Sequence, residues 1–197
     1  MKNIKLILSK VCKPDFQRLI FLLLLVAAMG VGRPTQAGFE VAPRIGYFDP
    51  VDNFVQSFYK AGLIYGIYGG WLSDSGLGAA VGADFYIHTV DYNSKINSFY
   101  LIPVTASAIW RPWPRERVSP LFGFGFGWYH LTDRSHFLAE TNSHDGFGYH
   151  GLAGLRVGIY EGLFTDLQLK YSYARLDSLS KVDIGGWTST LGVGYAF

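Results

Sequence analysis

The sequence predicts an all-β protein: an eight-stranded antiparallel up-and-down transmembrane β-barrel, preceded by a cleavable signal peptide. Three observations carry this. A short apolar run follows a basic N-terminus. Beyond it, segment after segment alternates apolar and polar residues with a period of two, the pattern of strands with two different faces. The connections between those segments alternate long and short, as in barrels with outer loops on one side and tight turns on the other.

The leader comes first. Lys2, Lys5, Lys10, Lys13 and Arg18 precede Leu19–Val31, an uninterrupted apolar run of 13 residues. A bilayer-spanning helix needs about 20 apolar residues, so this run suits the core of a secretory signal. Thr35-Gln36-Ala37 supplies small residues for cleavage before Gly38. The expected division is therefore signal peptide 1–37 and barrel domain 38–197. The leader holds six of the 17 basic residues and one of the 15 acidic ones, so residues 38–197 carry 11 against 14, a net of −3. The basic pI belongs to the leader, and no basic cluster remains to engage nucleic acid. The single cysteine, Cys12, also lies in the leader, so the exported part has no disulfide to rely on.

Eight strands follow. In FEVAPRIGY, Phe39, Val41, Ile45 and Tyr47 oppose Glu40 and Arg44. AGLIYGIYGGWL is strand-like, but apolar residues occupy both phases and leave its facing open. In LGAAVGADFYIH, Leu77, Val81, Phe85 and Ile87 oppose Asp84 and His88; in YLIPVTASAIW, Tyr100, Ile102, Val104 and Trp110 oppose Thr105 and Ser107. PLFGFGFGWYH sets Phe122, Phe124, Phe126 and Trp128 against glycines, and FGYHGLAGLRVGI sets Phe147, Tyr149, Leu155, Val157 and Ile159 against His150 and Arg156. LFTDLQLKYSY is the clearest: Leu163, Leu167, Leu169, Tyr171 and Tyr173 against Asp166, Gln168, Lys170 and Ser172. GWTSTLGVGYAF closes the series.

The short connections fall near Ser73–Gly76, Arg111–Arg117 and Tyr160–Gly162, and the long ones at FDPVDNFVQSF, DYNSKIN, LTDRSHFLAETNSHDG and ARLDSLSKVDIGG. FVQSFYKAG reads equally as a short helix or as extended loop. Backbone groups in hydrocarbon must all be paired, which demands closure. Tyr47, Tyr100, Trp110, Trp128, Tyr171 and Tyr195 fall near strand ends, where interfacial aromatics belong. The even strand count puts both termini on the periplasmic side of the outer membrane of a Gram-negative-type bacterium.

These segments resemble the small outer-membrane β-barrel domain family, the group of OmpX-like and OmpA transmembrane-domain-like barrels. The resemblance covers residues 38–197. Its most specific mark is the tail, with Leu191, Val193, Tyr195 and the terminal Phe197 alternating. The resemblance implies that these four form the signal read by the barrel-assembly machinery.

An eight-stranded barrel has an interior that side chains fill. Three acids (Glu40, Asp84, Asp166) and three bases (Arg44, Arg156, Lys170) face it, and buried charges require partners, so a salt-bridge network plugging the lumen is expected. Other chemistry is sparse. His136, Glu140 and His144 have helical spacing for a metal, but Thr141, Asn142 and Ser143 favour a polar loop. Asp49, Asp52 and Asn53 read as turn formers rather than a calcium site. LKYSYARL resembles a strand of the lipid A 3-O-deacylases, whose His-x-Ser pair would align a histidine with Lys170 ahead of Ser172; a charged lysine is a poor base for serine.

The reading is a non-enzymatic barrel, structural or presenting its loops to an extracellular ligand. It needs no metal or other cofactor. Its partners are outer-membrane lipid and lipopolysaccharide, the assembly machinery and no nucleic acid. A lipid A-modifying enzyme and a narrow channel are the alternatives.

Overall fold

The computed structural model describes residues 38–197, apart from 59, 93–94, 136–139 and 177–178. The expected leader, 1–37, lies outside the described residues, as does His136. Among the described residues there are nine strands and one short helix. They are β1 (Gly38–Pro50), α1 (Asn53–Phe58), β2 (Gly62–Leu72), β3 (Leu77–Tyr92), β4 (Lys95–Trp110), β5 (Val118–Ser135), β6 (Glu140–Tyr160), β7 (Leu163–Leu176), β8 (Leu179–Asp183) and β9 (Gly186–Ala196).

Consecutive strands pair antiparallel from β1 to β7; β9 then pairs with both β7 and β1 and closes the ring. The barrel therefore has eight staves. The five-residue β8 pairs only with the outer end of β7, within the last long connection. The β1–β9 seam has one interruption: its ladder runs through Glu40 and Val41, then resumes at Arg44, skipping Ala42 and Pro43. Pro43 has no N–H to give, while its pairing with Ile67 on β2 is intact.

Sidedness follows the pleat. Leu167, Leu169 and Leu191 are exposed, whereas Asp166, Gln168 and Thr188 are buried. The outward positions of the staves carry a predominantly apolar belt, from Phe39 and Ile45 on β1 round to Trp187, Leu191 and Val193 on β9. In hydrocarbon such a belt is the solvated surface. The facing of β2, open from sequence, is settled: Leu63, Tyr65, Ile67 and Trp71 point out, and Ile64, Tyr68 and Leu72 point in.

The connections differ from expectation on the outer side. At DYNSKIN, β3 and β4 stay paired as far as Tyr92 opposite Lys95, so among the described residues the expected long loop is strand. Likewise β5 and β6 pair from Leu131 opposite His144 to Ser135 opposite Glu140, inside the segment read as the largest loop. Polar residues on both phases masked these strand extensions. Helix α1 occupies part of the FVQSFYKAG stretch; Asp52 caps it by accepting the Val55 N–H at 3.3 Å. On the inner side the turns are tight. Gly76, at φ +82°, turns between β2 and β3, and a Cβ there would overlap the Arg111 carbonyl oxygen.

Candidate functional site

The lumen is where the strands bring charged side chains together, in two storeys. Strand alternation turns Glu40 and Arg44 inward from β1, Asp84 from β3, Arg156 from β6, and Asp166 and Lys170 from β7.

The lower storey is built around Glu40. Its Oε2 accepts from Arg111 Nη2 at 2.7 Å and from Arg156 Nη1, and its Oε1 accepts from Arg156 Nη2 at 3.0 Å. Tyr68 donates its hydroxyl to the same Oε1 at 2.8 Å. Asp166, in register with Arg156 across the β6–β7 ladder, accepts from Arg44 Nη2 at 3.0 Å and from Arg156 Nη2 at 3.5 Å. Arg44 Nη1 donates to Gln168 Oε1 at 2.9 Å. Two guanidinium planes also rest on rings: Arg44 lies 3.9 Å from the Tyr68 centroid and Arg156 3.6 Å from that of Phe164. Gly192 on β9 leaves room for this packing, since a Cβ would come within 2.8 Å of Asp166 Oδ1.

The upper storey is smaller. Lys170 Nζ donates to Asp84 Oδ2 at 2.6 Å. Ser107 Oγ and His150 Nε2 are 2.8 Å apart. A cavity of about 30 Å³ sits here, among Arg44, Asp84, Ser107, His150, Gln168 and Lys170. An apolar cluster with Tyr86, Phe99, Leu101 and Leu176 fills the outer end of the lumen, and Val55 of α1 and Ile184 join it from the loops. A second cluster, with Leu72, Ile109, Leu121 and Phe164, surrounds the lower storey.

Of the six lumen charges read from sequence, all face inward, and Lys170 with Asp84 stands apart from the other four. Arg111 escaped that reading because it lies one residue past the end of β4. The signal was present: inward residues of β4 are odd-numbered from Phe99 to Ile109, and one more step of the pleat carries Arg111 inside. The lumen thus holds four bases against three acids, a net of +1.

The other candidates are placed as follows. Ser172 is buried and inward; its Oγ both donates to the Gly186 carbonyl and accepts the Gly186 N–H, each at 3.3 Å. Lys170, beside it, is committed to Asp84. Glu140 and His144 lie on strand β6, where a spacing of four does not make one helical face. Among the described residues no group of three His, Cys, Asp or Glu could hold a metal. His130 pairs through Nδ1 with Asp145 Oδ1 at 2.8 Å on the outer rim and stacks on Trp128. At the other end, Phe197 N–H donates to Phe39 O at 2.8 Å and its ring packs edge-on against Tyr195. The last residue therefore extends the β1–β9 seam.

Comparison with known proteins gives a consistent picture. The profile described as "Outer membrane protein beta-barrel domain" matches residues 19–197. No curated protein sequence matches the chain. Among solved structures, Neisserial surface protein A superposes with a TM-score of 0.65 at 18% identity, over 81% of this chain and 97% of that one. OprG from Pseudomonas aeruginosa gives 0.62 at 16% identity, over 82% and 96%. Ail from Yersinia pestis, solved with the heparin analogue sucrose octasulfate, gives 0.56 at 20% identity, over 81% and 99%. At these identities the likeness is one of fold.

Proposed function

The chain belongs to the outer membrane protein beta-barrel domain family, and from that premise we propose a non-enzymatic barrel with a shut lumen that presents its outer rim to partners. It is an eight-stranded barrel of the Gram-negative outer membrane, with both termini in the periplasm. The observation that carries the proposal is the lower storey: side chains from β1, β2, β6 and β7, with Arg111 from the turn after β4, meet across the lumen around two carboxylates. A chain of paired, buried charges packed within one apolar cluster and covered by another on the outer side opposes ion passage, because opening it would strand charges in a low dielectric.

The outer rim is where partners would be met. Residues 49–60, 88–97, 130–145 and 174–185 hold eight acids and five bases. A crown of that sign suits a cationic or neutral ligand. It repels polyanions, so the sulfated ligand of Ail is not carried over. The upper-storey His150–Ser107 pair opens on a cavity of about 30 Å³, which has no room for an acyl ester, and this argues against hydrolytic chemistry there. The tail from Leu191 to Phe197, through Val193 and Tyr195, is proposed as the segment engaged by the assembly machinery.

The test is planar-bilayer recording of the purified, refolded barrel. Absence of reproducible conductance steps is expected. Discrete, voltage-stable steps would overturn the shut lumen and favour the channel alternative.

A further inference from the structure

The polar groups left over in the lumen are lopsided. Among those without a protein partner, four are N–H donors, the Nε of Arg44, Arg111 and Arg156 and the Gln168 amide nitrogen; one is a pure acceptor, Asp166 Oδ1; the Ser119 and Tyr129 hydroxyls and His150 Nδ1 can serve either way. The charges lean the same way, four bases to three acids. Two leftover groups line the upper cavity and are more than nine-tenths buried, Gln168 and His150. Gln168 Oε1 must face Arg44, which can only donate, so its NH₂ is turned away with two protons to give. His150 uses Nε2 toward Ser107, leaving Nδ1 free. Arg44 and Lys170 put positive charge on the same wall, and Thr105, Thr188 and Thr190 line it too. Asp84 is the one carboxylate there, and Lys170 neutralises it.

We propose that this cavity is a binding site for one monatomic anion of the halide class, held by the Gln168 amide and the neighbouring donors and balancing the excess lumen charge. The size agrees. About 30 Å³ admits a single such ion or about two waters, and is too tight for a phosphate or sulfate. An uncompensated buried cation is costly, and a bound anion removes that cost without opening the lumen. The inference rests on the shut lumen, but conductance tests that premise separately.

The experiment is urea unfolding of the barrel in neutral phosphatidylcholine vesicles, with sodium chloride exchanged for sodium gluconate at fixed ionic strength. Chloride at ten times its dissociation constant is expected to raise the folded-to-unfolded ratio about elevenfold, saturably. Gln168→Leu should abolish the chloride effect. Gln168→Glu, which keeps the shape and builds in the negative charge, should abolish it while remaining at least as stable in gluconate as the parent. It also serves if the leucine variant fails to fold. Crystals soaked in bromide should show an anomalous peak within hydrogen-bond reach of Gln168 Nε2. A parent indifferent to chloride, or an anion effect unchanged in both variants, would overturn the site, as would a cavity holding only water in the bromide crystal. Such a result in a non-conducting barrel would leave the shut lumen standing.

Discussion

Replacing Glu40 with Gln is the sharpest test of how the lumen is held. The side chain is 3% exposed and takes hydrogen bonds from Arg111, Arg156 and Tyr68. Gln keeps its shape and removes its charge. The lower storey then sets Asp166 alone against Arg44, Arg111 and Arg156, raising its excess from +1 to +2. Removing one partner of a buried ion pair costs about 3–5 kcal/mol, because the other charge is left uncompensated. Arg111→Met is the counterpart. It gives up one charge-assisted hydrogen bond, about 1.5–3 kcal/mol, but leaves two bases facing two acids, so no charge is stranded. The expected order is a larger loss for Glu40→Gln, by about 2 kcal/mol between the midpoints of those ranges. Urea titration in vesicles, followed by tryptophan fluorescence and by unboiled gel migration, reads both losses. Equal losses, or a larger one for Arg111→Met, would refute the charge count on which the reasoning stands.

Other expectations use the same assay or simpler ones. Leu169→Arg puts a charge on the lipid-facing belt at the middle of β7 and should cost about 2–4 kcal/mol; an unchanged midpoint would contradict the sidedness. Gly76→Ala should destabilise by about 1–2 kcal/mol from its left-handed backbone alone, with the Arg111 carbonyl overlap adding to this; a neutral effect would show that the turn relaxes freely. Deleting Phe197 should slow acquisition of the heat-modifiable folded form in cells. Normal assembly kinetics would remove the tail from the assembly role. Alanine at His130, His150 and Ser172 together should leave lipid A acylation unchanged by mass spectrometry, and an altered acyl pattern would revive the enzyme reading.

The staves were legible where one face meets lipid and the other meets charge. β7 is the plainest, since Leu167 and Leu169 flank Gln168 with Asp166 and Lys170 beyond. β2 resisted because the lumen is not uniformly polar: Ile64 joins the outer apolar cluster, and Tyr68 and Leu72 join the lower one. Both of its faces are therefore apolar for different reasons. The outer strand extensions resisted for the opposite cause. Around Asp91 and Asn97 the sequence shows no apolar–polar alternation, and the strands continue there through backbone pairing. Among the lumen charges, those on strands could be read from the pleat. Arg111 could not be placed by a reading that stopped at the strand boundary, although its phase continues that of β4.

Pro43 matters most before the ring is complete. Until β9 docks, β1 is an open edge, and open edges invite pairing with other unfinished chains in the periplasm. A proline whose missing donor falls on the β9 side spoils that template for strangers while leaving the β2 side intact. The finished wall carries the deficit as a short unlaced stretch. A Pro43→Ala chain should accordingly show more turbidity when diluted out of urea without lipid, even if its completed barrel is the tighter of the two.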